Sequence, residues 1–134
     1  MKMPEAPTIE NVHYDINSPI MDREQIDMLL MSDDGDPQTS LARELFHLFV
    51  NESSAKLEPL PEVCATGDLL QLRNMVHFVA GSAGNLGLAR LAAFYRAIER
   101  AIDQGRLTDI SDVEAPIRQE FGYAREAFRA DFSL

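Results

Sequence analysis

Between Leu69 and Leu86, the residues Leu72, Val76, Val79 and Ala83 fall at alternating intervals of three and four. That spacing fits an α-helix with one buried face and leaves no room for a strand. The same period recurs along most of the chain, and no six-residue stretch alternates cleanly between apolar and polar. The expected fold class is therefore all-α. A short first helix over about 23–31 carries Ile26, Leu29 and Leu30, with Asp22 as its cap. The second runs from Asp36, with Pro37 at its first position, to near Glu58, where Pro59 and Pro61 interrupt it. Its apolar stripe is Leu41, Leu45, Leu48 and Phe49. After a turn containing Val63 and Cys64, Gly67 stops the chain and Asp68 caps a helix over about 69–84.

The next helix, about 88–104, turns Leu88, Leu91, Tyr95, Ile98 and Ile102 inward and ends at Gly105. The last begins between Ser111 and Pro116, where Ser111 and Glu114 have capping-box spacing. Its stripe is Ile117, Phe121, Ala124, Phe128 and Phe132. Four long amphipathic helices with short connections predict an antiparallel four-helix bundle, with the short N-terminal helix covering one end. A length of 134 residues suits one such domain, expected over 19–134, after a flexible tail at 1–18.

Charge and composition exclude several functions. Twelve Lys and Arg stand against twenty-two Asp and Glu, a net charge of −10, so the chain repels nucleic acids and anionic membrane surfaces. No run of eighteen apolar residues is present. The single cysteine, Cys64, excludes an internal disulfide framework, and no apolar leader precedes the first helix, so a cytoplasmic location is expected; the protein is also expected to be a monomer. Neither a phosphate-binding loop nor a kinase motif set occurs, so this chain is expected to carry no ATP-binding kinase domain. Glu44 and His47 have the spacing of two-metal carboxylate bundles, but no second copy exists, and His47 reads as a packing or surface residue. The methionines Met21, Met28 and Met31 read as core filler or as an adaptable docking surface.

One segment resists explanation by helix stability. Glycine in a helix interior costs about 1 kcal/mol relative to alanine. Yet Gly81 and Gly84 fall inside and near the end of the helix that carries His77. At 100° per residue, Leu70, Arg73, Ala80, Gly81 and Gly84 all lie within about 60° of His77, away from the apolar seam. The imidazole is thus expected on an exposed face whose next turn is nearly bare, open to close approach by another molecule. In-line transfer of a group to a ring nitrogen requires such clearance.

The run His77, Gly81, Ser82, Leu86 and Gly87 resembles the histidine-containing phosphotransfer (HPt) domain, whose pattern is roughly His-x-x-Lys-Gly-Ser-x-x-x-Leu-Gly. The resemblance extends weakly over about 20–132. It implies that His77 accepts a phosphoryl group, on Nε2, from a receiver-domain aspartate and passes it to another receiver. Arg73, Ala80, Gly81, Ser82 and Gly84 would form its surroundings. It implies no cofactor or metal on this chain and Mg²⁺ on the partner. The partners it implies are response-regulator receiver domains and a hybrid sensor histidine kinase. The chain would then be a relay intermediate rather than a complete enzyme. The departure is Ala80, which stands where the family has lysine; Arg73, one turn earlier, is the nearest substitute cation in sequence. The alternative is a helical adaptor that binds receivers without transfer.

Overall fold

The computed structural model describes residues 4–30 and 41–132, and the described chain is helical without a strand. The elements are α1 (Arg23–Leu30), α2 (Leu41–Leu57), α3 (Leu60–Thr66), α4 (Leu69–Asn85), α5 (Ala89–Asp103) and α6 (Glu114–Phe132). The cap expected at Asp36 and Pro37, and Met31, lie outside the described residues. Several boundaries follow the local chemistry read above. The Asp22 carboxylate accepts from the amides of Glu24 and Gln25, and Asp68 accepts from that of Gln71. Gly67 and Gly105 take the left-handed conformation just past α3 and α5.

The helices form a bundle in which α4 and α5 share the most extensive contact, with α2 against α4 and α6, and α6 against α5. The seam of α4 is buried as expected through Leu72, Val76, Val79, Ala83 and Leu86. It packs on Leu91, Phe94, Tyr95, Ile98 and other buried residues of one continuous core. In α2 the buried face is rotated from the expected stripe. Ala42, Phe46, Phe49, Ser53 and Leu57 turn inward, whereas Leu48 is 53 % exposed. The reason is aromatic: Phe46 stacks on Phe128 of α6 with centroids 4.8 Å apart, and Phe49 tilts against Phe121. Phe49 is buried in either orientation, so the rotation exchanges Leu48 for Phe46, whose larger ring gains a stacking partner.

Two further details depart from expectation. Ser111 does not cap α6: its hydroxyl and amide both bond the Asp109 carboxylate, closing a turn before the helix begins at Glu114. The segment expected as a tail lies against the bundle from residue 4 onward. Pro7, Val12 and Ile20 are buried, while Ile16 stays exposed. Tyr14 donates its hydroxyl hydrogen to the Pro7 carbonyl and packs on Phe94. Desolvation, then the nearby Glu120 carboxylate, pushes this phenol up to about 12.

An ion pair inside the bundle anchors this segment. The Arg90 guanidinium meets Glu120 of α6 through two bonds of 2.8 Å, and its third nitrogen donates to the carbonyl of Pro4. Both side chains are fully buried. Removing one member would strand a charge in the core. Arg90→Met should therefore lower unfolding free energy by roughly 3–5 kcal/mol, while Arg90→Met combined with Glu120→Leu should recover most of it. Urea denaturation of the three proteins measures both effects; a single variant as stable as the parent would show that the pair does not hold the fold.

Candidate functional site

α4 carries His77 near its middle, and the imidazole points away from the core with its side chain 68 % exposed. The rotation that buries Leu72, Val76 and Val79 on one side puts position 77 on the other. Across from it, α5 supplies Glu99. Both oxygens of this carboxylate lie within 2.8–2.9 Å of His77 Nδ1. Glu99 is only 15 % exposed, and so sits between the helices rather than in bulk water. A carboxylate only accepts, so Nδ1 carries the hydrogen, and in the neutral form of the ring the lone pair is on Nε2. The exposed nitrogen is thus the nucleophilic one.

One turn earlier, Arg73 is already engaged. It donates from Nε to Asp103 at 2.5 Å and lies 3.4 Å from Glu99. The same contact holds the Asp103 carboxyl below the usual carboxylate range, the hydrogen bond from Arg73 being the main cause. Arg73 therefore braces Glu99 and Asp103 on α5 rather than standing free beside the imidazole. The ladder His77–Glu99 and Arg73–Asp103 also reports the α4/α5 register. Residue numbers rise along α4 as they fall along α5, so the two helices run antiparallel.

The other expected site residues separate into three environments. Ala80 lies within 1 % of full burial, so it belongs to the α4 packing surface and not to the exposed face around His77. At 60° from His77 it sits on the side that α5 covers, which the angular estimate alone did not resolve. Gly81 is exposed, and a β-carbon built there would meet nothing within 4 Å. Gly84 is partly covered by one side chain: a β-carbon would stand 3.0 Å from a terminal nitrogen of Arg96. Ser82 turns toward α2 and lines a shallow apolar cleft of about 300 Å³ with Leu45, Leu48, Phe49 and Leu86. Glu99 and Arg96 escaped the sequence reading because their relation to His77 depends on helix register. The signal available was the polar strip Arg96, Glu99 and Asp103 on a helix otherwise rich in buried residues.

The motif's last glycine has a different task. Gly87 has φ +72°, and a β-carbon there would lie 2.8 Å from the Asp22 carbonyl oxygen. Its own carbonyl accepts from the Asp22 amide at 2.6 Å, docking the start of α1. Leu86–Gly87 thus ends α4 and seats a neighbouring backbone, whereas Gly81 answers no demand of the fold. Gly81→Ala should accordingly stabilise the protein by about 0.8–1.0 kcal/mol in urea unfolding. Gly87→Ala should destabilise it, because it forces a left-handed backbone and a clash together. A loss of stability in Gly81→Ala would mean that the bare patch is a packing requirement.

Among the described residues, no group of three or more His, Cys, Asp or Glu stands close enough to hold a metal ion. His47 is exposed on α2. None of the described helices is long and apolar enough to cross a membrane. No curated protein and no solved structure matches the chain. The family model of the Hpt domain matches residues 44–127, from α2 through most of α6, and takes in His77, Gly81, Ser82 and Gly87. With more than half its length in that match and its helical bundle built around the exposed histidine, the chain belongs to the Hpt domain family.

Proposed function

We propose that this protein relays a phosphoryl group between receiver-domain aspartates through His77, as an intermediate and without a kinase domain of its own. Histidine phosphotransfer in phosphorelay signalling is the activity of its family. The observation that carries the assignment to this residue is the Glu99 carboxylate on His77 Nδ1, which leaves Nε2 exposed with its lone pair. In the forward step, Nε2 attacks the phosphorus of an aspartyl phosphate. The N–P bond forms as the P–O bond to the aspartyl carboxylate breaks, and that carboxylate leaves with the electron pair. The ring becomes a phosphorylated imidazolium whose Nδ1–H stays bonded to Glu99. The negative carboxylate stabilises the positive ring as it forms, as preorganised charge does wherever charge develops. The reverse step delivers the group to the next receiver.

The surroundings suit a protein partner. Bare Gly81 lets a second surface come close to the imidazole, and the α2/α4 cleft with exposed Leu48 gives that surface apolar contact. Exposed Met28 on α1 adds to the adaptable apolar surface. The antiparallel pairings of α4 with α5, and of Phe46 and Phe49 on α2 with Phe128 and Phe121 on α6, support the four-helix arrangement that presents this face. Mg²⁺ and the acidic pocket that binds it belong to the receiver in this reading, and the protein acts as a cytoplasmic monomer. Ser82 and Asn85 shape the cleft rim and take no part in bond making. The buried alanine at position 80, where the family has lysine, favours a second reading: an adaptor that binds receivers without accepting phosphate.

Incubation with a receiver domain phosphorylated by acetyl phosphate separates the two. Transfer predicts acid-labile label on the protein, lost in His77→Gln with the melting temperature nearly unchanged, since the site is exposed. Glu99→Gln replaces a charge-assisted hydrogen bond by a neutral one and should slow labelling roughly three- to tenfold. Binding without label in the parent protein would decide for the adaptor.

A further inference from the structure

We infer that Arg96 is the cation that meets the anionic partner beside His77, supplied from α5 in place of the lysine that α4 lacks; the inference rests on the transfer reading above. Ala80 is buried, so the position three residues after the histidine presents nothing to an incoming phosphoryl group. The guanidinium of Arg96 instead reaches across onto the histidine-bearing face. Its Nη2, Cζ and Nη1 lie 3.0, 3.8 and 3.9 Å from the place where a Gly84 β-carbon would stand. Gly84 shares its helical face with His77, two turns or about 10 Å further along α4. Bare Gly81 lies between them. A partner that descends on His77 over Gly81 therefore has this guanidinium at its flank.

Three features make Arg96 available for that contact. It is exposed, and among the described residues no acidic side chain pairs with it. In a chain of net charge −10, that is a notable vacancy, because Arg73, Arg90 and Arg118 each hold a carboxylate. Lys56 of α2 rests over the Phe78 ring at 4.9 Å. And Arg96 stands three residues before Glu99, so the two are neighbours on α5. One helix thus sets an anion against the ring nitrogen that must keep its proton, and a cation beside the patch where the donor arrives. A planar guanidinium suits an acyl phosphate or the carboxylates around it, which it can bond through two parallel N–H groups. Gly84 also acquires a reason: without a β-carbon it gives the guanidinium a flat seat.

The test compares the parent protein, Arg96→Gln and Arg96→Lys as acceptors from a receiver domain phosphorylated by acetyl phosphate, at low and high ionic strength, with His77→Gln as the site control. Arg96→Gln should slow the second-order rate of labelling about three- to fivefold at low salt. The deficit should shrink at high salt, where exposed charges are screened. Arg96→Lys should restore part of the rate, since it returns the charge without the fork. Melting temperatures should agree across the set, which excludes a structural cause. If the parent is labelled at His77 and Arg96→Gln is labelled equally fast at low salt, Arg96 has no such role and the transfer reading stands. If the parent takes no label, both fall together.

Discussion

The closeness of α4 to α5 governs everything at the exposed histidine. Ala80 and Ala83 on α4 are buried, as is Ala92 on α5, seven residues before Glu99 and so on the same face, and small side chains let two helix backbones approach. That approach brings the Glu99 carboxylate within hydrogen-bond distance of His77 Nδ1 and Asp103 within reach of Arg73. With bulkier side chains the axes would separate, and a short glutamate side chain would no longer span the gap. The family's lysine position is occupied here by one of these alanines. Its loss as a surface cation and its use as a packing residue are one substitution seen from two sides.

The glycines of α4 and its turn show how function and stability divide a short motif. Gly87 is needed by the backbone: its left-handed conformation and the nearby Asp22 carbonyl both exclude a side chain. Gly81 is tolerated against helix propensity, in open space, with nothing in the bundle gaining from it. A local rule broken without structural compensation marks a functional position more sharply than a feature serving both purposes. By that standard Gly81 argues for an external partner and Gly87 argues only for the fold.

The parts of this structure legible in the sequence are those set by local chemistry. Asp22 and Asp68 cap helices, Gly67 and Gly105 end them, and the seam from Leu72 to Leu86 faces the core, all through residues within a turn or two of each other. What could not be read depends on the register between helices. The α2 stripe turned to bury Phe46 because Phe128 waits on α6, more than eighty residues away. Ala80 and Gly81 are adjacent, yet one is buried and the other bare, because the edge of α5 falls between them. Glu99 could be recognised as part of a polar strip, but not as the partner of His77. The N-terminal segment lacks any period that would announce docking. Beyond isolated apolar contacts such as Val12 and Tyr14, it is held by backbone carbonyls, through Arg90 to Pro4 and Arg106 to Asn11, and carbonyls leave no trace in residue identity.

Electrostatics then determine where a compensating charge can act. The chain carries a net −10, and transfer adds phosphoryl charge on its surface. A cation on α4 itself would lie beside the phosphoryl group in every state, before and after a partner leaves. A cation on α5, seated at Gly84 two turns along α4 from position 77, stands at the flank of the bare patch instead. Exposed at that flank, such a charge is screened by salt and acts on an anionic donor as it approaches. Moving the cation from α4 to α5 therefore takes the charge off the histidine's own helix and sets it at the edge of the surface that a donor would approach.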